Sequence, residues 1–571
     1  MISGSERPAG VGGARPQMRY GSDAFAEVLR GLELPYVALN PGASYRGLHD
    51  SLVNYLGNER PQLVVCLHEE HAVALAHGYA KVAERPMAVA LHSNVGLMHA
   101  TMALYNAWCD RVPLLAIGAT GPVDPALRRP WIDWIHTSAD QGALVREYVK
   151  WDDQPASAQA AVHSLADAGM LTSSYPHAPV YVCLDSALQE AELEHEPALP
   201  DAARMQPAPP PEPPGEAVAA AAELLSAAER PLILVGRVSR GTHAWEERVR
   251  LAERLGACVL TDLKVGAGFP SDHRLNPAVP GTFLTDSGRE LVTAADVIVS
   301  LDWVDLGGTL RAAGAGARVI SCSADHAPEF GPVAADLAIS SHPDLLVEAL
   351  GTAGIEGGER EAWPPPRGEG GPLGDGLTVR RLAAALAGAL SGHDTCLVRL
   401  PLGWDGADLH VAHPLDYLGQ DGGAGLGSGP GMAVGAALAL AGSGRLPVAV
   451  LGDGDLLMAS SALWTAAHYR LPLLVVVANN RSFFNDELHQ ERVAGARGRP
   501  AENRWIGQHI RDPDPDLAAL ARALGLEGHG PVDDEDELER MLATGVEQAA
   551  AGAAVLVDVR VSPHGYPGGK G

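Results

Sequence analysis

Phenylalanine is scarce, with 6 in 571 residues and an aromatic share of only 5%. The cores must therefore be built mainly from Ala, Val and Leu. Basic residues are also short: 42 Lys and Arg stand against 70 Asp and Glu, a formal charge of −28. That balance argues against nonspecific binding to nucleic acid or to an anionic membrane surface. No apolar run approaches the ~18 residues needed to cross a bilayer. The first 17 residues are rich in Gly, Pro and Arg and lack an apolar signal core, so they read as a loose tail. The 6 cysteines (Cys66, Cys109, Cys183, Cys258, Cys322 and Cys396) form no CxxC pair, and most sit in apolar, strand-like runs. They read as buried free thiols of a cytoplasmic protein, not as disulfides or zinc ligands.

Two Pro- and Gly-rich breaks, 197–217 and 357–376, cannot hold regular helix and read as linkers. They leave three blocks, placed at 18–196, 216–355 and 376–563. Each block alternates short apolar runs with Ala- and Leu-rich amphipathic segments. In the middle block PLILVG, ACVLTD, DVIVSLD and ARVISC alternate with helix-like stretches. This alternation predicts an α/β protein of three domains with mostly parallel sheets. Its central block lacks GxGxxG after LVG, which weakens a nicotinamide-dehydrogenase reading.

The stretch LGDGDLLMASSALWTAAHYRLPLLVVVANN, residues 451–480, carries the most chemistry. Its ends follow apolar runs, and SALWTAAHYR reads as the crossover helix between two strands. A right-handed crossover puts both strand ends on one sheet edge. Asp453 and Asn480 would then meet there, offering hard oxygen donors of the kind Mg²⁺ takes. Gly452 and Gly454 would permit a tight turn and close approach to a ligand. The following helix would offer N–H groups to a phosphate. The parts together predict a Mg²⁺-diphosphate site.

This segment resembles the signature of thiamine-diphosphate enzymes: GDG, some 25–30 residues, then NN. The resemblance implies metal ligation by Asp453, Asn480 and the carbonyl of Ser482. It also exposes a departure, because Asp455 stands where the family has Ser or Ala and adds a negative charge beside a diphosphate. The segment LVVCLHEEHAVALAHGYAKVAERP (63–86) resembles the pyrimidine-binding helix of acetolactate synthases and related decarboxylases. The match puts Glu69 in the catalytic position against the aminopyrimidine ring. In GGAGLGSGPGMAVGAALAL (422–440) the resemblance makes Leu426 the residue that bends the cofactor, with the carbonyl of Ala424 facing the 4′-amino group. The three blocks become pyrimidine-binding, central and diphosphate-binding domains.

Within this family of 2-oxo acid decarboxylases and acetolactate synthases, two segments are worded most like benzoylformate decarboxylase. They are LHSNVGLMHATMALYNAW (91–108) and SALWTAAHYRLP (461–472). That likeness implies an acid/base role for His92. The family's active-site Ser is Ala43 here, with Ser44 next to it, and no second catalytic His is evident near 301–311. Substrate-facing positions are expected at Ala43, Ser44, Asn94, His136 and Asn485. Trp131, Trp134 and the two arginines before them are candidates to shape the pocket near His136. His68, His71, His77 and His99 read as structural.

The implied activity is thiamine-diphosphate- and Mg²⁺-dependent cleavage of a 2-oxo acid, decarboxylating it through an enamine. The alternative is a carboligase, like acetolactate synthase or a lyase, that forms 2-hydroxyketones. A noncatalytic protein of this fold is disfavoured by the intact Glu69, Asp453 and Asn480. No feature requires FAD. The resemblance also implies a homodimer or homotetramer with active sites between subunits, taking a small 2-oxo acid and neither nucleic acid nor membrane.

Overall fold

The computed structural model describes residues 17–562, except 202–203, 326–333, 356–359, 361–362, 364–372 and 374–375. The expected N-terminal tail up to residue 16, much of the second linker, and the expected domain end at 563 lie outside the described residues.

Three all-parallel sheets carry the chain. The first runs Gln62–Val65, Tyr36–Leu39, Met87–Leu91, Leu114–Thr120, Pro179–Asp185, Asp152–Asp153. The second runs Leu337–Ile339, Arg318–Cys322, Val297–Leu301, Pro231–Val235, Cys258–Leu260. The third runs Thr395–Arg399, Leu446–Gly452, Leu473–Asn479, Ala554–Arg560, Glu527–Val532. The central strands are apolar throughout because helices cover both sheet faces; MAVAL and LLAIGAT are buried at every position. Five of the six cysteines are buried, Cys109 is half-buried, and all are free. Among the described residues no helix is long and apolar enough to cross a membrane.

One large core joins the first and third sheets. At its centre the helices Glu69–Ala83 and Ser428–Leu440 cross with their backbones touching. A side chain at Gly78 would run into the carbonyl of Met432, and one at Gly435 into that of Leu75. Glycine at these positions is thus a packing requirement, and it sets how close the N-terminal and C-terminal domains approach.

The crossover after the third sheet's second strand differs from the expected single helix. Helix begins at Asp453 itself, runs to Ala459, breaks at Ser460 and Ser461, and resumes over Ala462–His468. The Leu463 and Trp464 amides reach back only three residues, to the carbonyls of Ser460 and Ser461. Such tightening is common where a serine pair interrupts a helix.

Candidate active site

Adjacent parallel strands pair Gly452 with Ala478, so the residues that follow each strand emerge on one sheet edge. Asp453 is 3% exposed and Asn480 is 7% exposed. The amide side-chain oxygen of Asn480 accepts the backbone N–H of Ser482 at 2.9 Å. Burial pushes the Asp453 carboxyl up to about 6, against the opposing pull of backbone N–H groups of Asp453, Gly454 and Ser482. Ser482 thus faces both acidic and amide side chains, and the structure brings Asp453, Asn480 and Ser482 together. Asp453 Oδ2 is buried without a hydrogen-bond partner. An orphaned carboxylate oxygen beside an amide oxygen is an oxygen-only donor set, which fits a hard divalent cation such as Mg²⁺.

The two glycines around Asp453 are there for different reasons. Gly452 has open space where a side chain would go, whereas a side chain at Gly454 would lie 2.6 Å from the Phe483 ring. Behind the turn, Ser482 Oγ donates to buried Glu487, and His509 Nε2 lies 3.1 Å from the same carboxylate. Asn485, one residue into the helix Phe484–Ala496, is exposed and is not drawn into this cluster.

Asp455 is only 5% exposed, yet its charge is compensated. Its Oδ1 accepts the backbone N–H of Gly427 at 2.6 Å, and its Oδ2 lies 3.2 Å from Arg399 Nε. Arg399 also pairs with Asp421, which accepts the Ser428 hydroxyl. Burial works against the Arg399 charge, but Asp421 and Asp455 outweigh it and hold the guanidinium pKa above its usual value. Sequence reasoning missed this network. The signal available was a single arginine ending the apolar run TCLVR, where a charge must have a buried partner.

Ala424 takes a left-handed conformation (φ 53°) in the loop before the helix Ser428–Leu440. Ala424 is exposed, and Leu426 is half-buried beside it. The loop leans on the N-terminal domain: Asn106 Oδ1 accepts from the Gly425 amide at 3.4 Å.

At the first sheet's edge, Glu69 opens its helix and is 6% exposed. His68 caps that helix, its Nδ1 accepting the Glu70 amide at 3.1 Å. Glu69 Oε2 lies 3.0 Å from His99 Nδ1. The sequence reading had treated His99 as structural. The signal was helical spacing, since Gly96 and His99 fall on one face of the helix Ser93–Cys109. Glu70 points across to the C-terminal domain, and a side chain at Gly427 would lie 3.9 Å from its Oε1. Burial raises the Glu70 pKa, and Asp455 adds to the rise while His99 opposes it.

His92 ends the strand Met87–Leu91 and lies against Gly42. Its Nδ1 lies 2.9 Å from Ser44 Oγ and 3.4 Å from the Ser44 amide. An amide can only donate, so Nδ1 is the acceptor and the neutral ring carries its proton on Nε2. Burial, and then the neighbouring His136, lower the His92 pKa, while Glu69 pulls it up. The His92 and His136 rings meet edge to face at 4.7 Å. Ser93 donates to the His136 carbonyl at 2.6 Å, and Asn94 donates to the Ile135 carbonyl at 3.2 Å. Ser44, His92, Asn94 and His136 therefore form one cluster, whereas Ala43 faces solvent. Trp131 and Trp134 are 69% and 76% exposed, and Arg129 is held by Asp133 at 2.8 Å. The tryptophans lie on the surface.

Comparison with known proteins matches three family models in chain order. They describe the N-terminal thiamine pyrophosphate binding domain over residues 19–144, the central domain over 218–350, and the C-terminal thiamine pyrophosphate binding domain over 404–559. A benzoylformate decarboxylase of Pseudomonas aeruginosa is 28% identical over 573 residues, covering 94% of this chain and 98% of that protein. An acetolactate synthase large subunit of Parasynechococcus marenigrum is 24% identical, covering 99% and 92%. Among solved structures, a thiamine diphosphate-dependent 4-hydroxybenzoylformate decarboxylase of Rhodococcus jostii superposes with a TM-score of 0.79 at 23% identity, covering 96% of this chain and all of that one.

Proposed function

Because the chain belongs to the thiamine pyrophosphate enzyme family, we propose that it is a Mg²⁺-dependent decarboxylase of a 2-oxo acid, with Asp453 and Asn480 holding the metal and Glu69 addressing the cofactor. The observation that carries this reading is Asp453, a buried carboxylate with one oxygen left without a partner at the sheet edge where Asn480 also emerges. Bound thiamine diphosphate supplies a nucleophilic carbon and an electron sink for the bond that breaks. The protein's part is to hold and to move protons. Asp453, Asn480 and the Ser482 carbonyl would hold the metal, whose charge would offset that of the diphosphate. Glu69, itself buried, would exchange a proton with the aminopyrimidine nitrogen. His92, with Nδ1 occupied by Ser44, would present Nε2–H toward the substrate carboxylate and could serve as a proton donor there. Ser44, Asn94 and His136 line the substrate side.

Assembly is part of the proposal. Apolar side chains stand exposed beside both halves of the site: Leu67 at 44%, Met98 at 57% and Met458 at 59%. Covering them with a second subunit would bring Glu69 of one subunit to Asp453 of its partner, with the dimer as the smallest active unit.

The test is a panel of aromatic and aliphatic 2-oxo acids, followed for CO₂ and for ligated product. Aromatic acids lead the panel because of the benzoylformate decarboxylase relative. CO₂ release that requires both thiamine diphosphate and Mg²⁺ is expected. Release of CO₂ from no member of the panel, with cofactor bound, would overturn the decarboxylase reading.

A further inference from the structure

We propose that His99 is a positioning residue for Glu69, its Nδ1–H holding one carboxylate oxygen so that the other is aimed at the cofactor. The inference rests on the assignment of Glu69 above and goes beyond it.

The geometry is a relay of fixed groups. The Glu70 amide occupies Nδ1 of His68 at 3.1 Å, which fixes that ring at the helix cap. The His99 ring stacks on it with centroids 4.7 Å apart and planes at 25°. Stacking fixes the His99 plane, and its Nδ1 then lies 3.0 Å from Glu69 Oε2. An ionised carboxylate can only accept, so Nδ1 carries the proton. The other oxygen, Oε1, faces Gly96, where a side chain would approach to 3.0 Å. Glycine there leaves the carboxyl room, and His99 sets its rotation. A carboxylate held at one oxygen keeps its second oxygen in one direction, which proton transfer to a ring nitrogen requires.

Other titratable groups face the pair. His68 lies on the ring of His99. Glu70 is on the same helix turn, and His99 opposes the rise of its pKa on burial. Tyr45 and His92 lie within the field of Glu69 from the other side.

The test uses His99→Leu, His99→Asn and Glu69→Gln in the full-length protein. Asn places an amide nitrogen where His99 has Nδ1, so it keeps the donor and loses the imidazole. In the metal-free apoprotein, kept in chelator, ¹⁵N NMR should show a hydrogen-bonded His99 Nδ1–H in wild type whose signal moves in Glu69→Gln. With thiamine diphosphate and Mg²⁺ bound, hydrogen–deuterium exchange at the cofactor C2 should slow by about 10–100-fold in His99→Leu, the range seen when an outer hydrogen-bond partner is lost. His99→Asn should restore most of the rate. An unchanged His99 Nδ1 signal in Glu69→Gln would overturn the pairing, including where His99→Leu fails to fold. A wild-type exchange rate in His99→Leu alongside slow exchange in Glu69→Gln would overturn the role of His99 alone. A wild-type rate in Glu69→Gln would overturn the Glu69 assignment itself, while the His99 Nδ1 signal still reports whether the pair exists.

Discussion

At the N-terminal sheet edge the chemistry-bearing side chains are tied to other groups of the chain: Glu69 to the His99 ring, His92 to Ser44, and Ser93 and Asn94 to the backbone carbonyls of His136 and Ile135. At the C-terminal sheet edge Asp453 instead keeps an oxygen with no partner, at 3% exposure. Both edges are buried and polar, yet Glu69 is held by a neighbouring side chain, whereas Asp453 accepts only backbone N–H groups and keeps one buried oxygen free of hydrogen bonds. A group that must hand a proton to a ring needs a fixed direction, and neighbouring side chains provide it. A group that must hold a cation needs free lone pairs, and internal hydrogen bonds would consume them. Under the proposed function, this difference would be a difference in task. In the Arg399 network nearby, Asp455 and Asp421 have a guanidinium to offset their charge.

The contrast can be broken most directly at Asp453. Asp453→Ala should remove Mg²⁺-dependent thiamine diphosphate binding, leaving calorimetry with no metal-dependent heat, because the diphosphate would lose its neutralising site. Retained wild-type affinity would place the metal elsewhere. The N-terminal edge should respond in kinetics instead. Glu69→Gln should keep cofactor binding and slow C2 exchange by about 10²–10⁴-fold, the usual cost of a lost acid/base group.

Arg399→Met tests whether compensation is what separates Asp455 from Asp453. It would leave two buried carboxylates without their cation, and removal of one partner from a buried pair costs about 3–5 kcal/mol. Urea unfolding of the apoprotein measures it, and a change below about 1 kcal/mol would show that Asp455 is satisfied by the Gly427 amide alone.

Acidity sharpens the comparison further. The proposed cation would need ionised Asp453, whose pKa burial pushes up to about 6. Below that pH a proton competes with the metal, so Mg²⁺ affinity should fall about tenfold per pH unit, and above it the affinity should level off. In Asp453→Asn the residual affinity should lose this slope. A slope unchanged in that variant would assign the titration to another carboxylate.

The smallest expected effect is at His92. His92→Ala should slow substrate loss and raise the share of ligated product when an aldehyde is added, since protonation at carbon would be delayed. An unchanged ratio of aldehyde to hydroxyketone, with cofactor bound, would limit His92 to supporting the turn it caps.

The amino-acid sequence by itself determined the architecture and the two sheet edges. Runs such as MAVAL, LPVAVLG and LLVVVA are apolar at nearly every position, which only doubly covered parallel strands accept, and a right-handed crossover then leaves Asp453 and Asn480 on one edge. Two acids, Glu69 and Glu70, stand at the strand-to-helix turn, and only the resemblance of their segment to the pyrimidine-binding helix singled out Glu69. Tertiary structure alone decided how charge is settled there. Arg399 lies 56 positions before Asp455 and reaches it only because their strands are neighbours in the third sheet. His99 lies 30 positions after Glu69, and only the packing of two helices on one sheet sets its Nδ1 on the carboxylate. Periodicity reports which face of a helix is buried, because burial is averaged over many residues. A hydrogen bond between distant residues depends on a single rotamer and a single distance, and no local pattern records either.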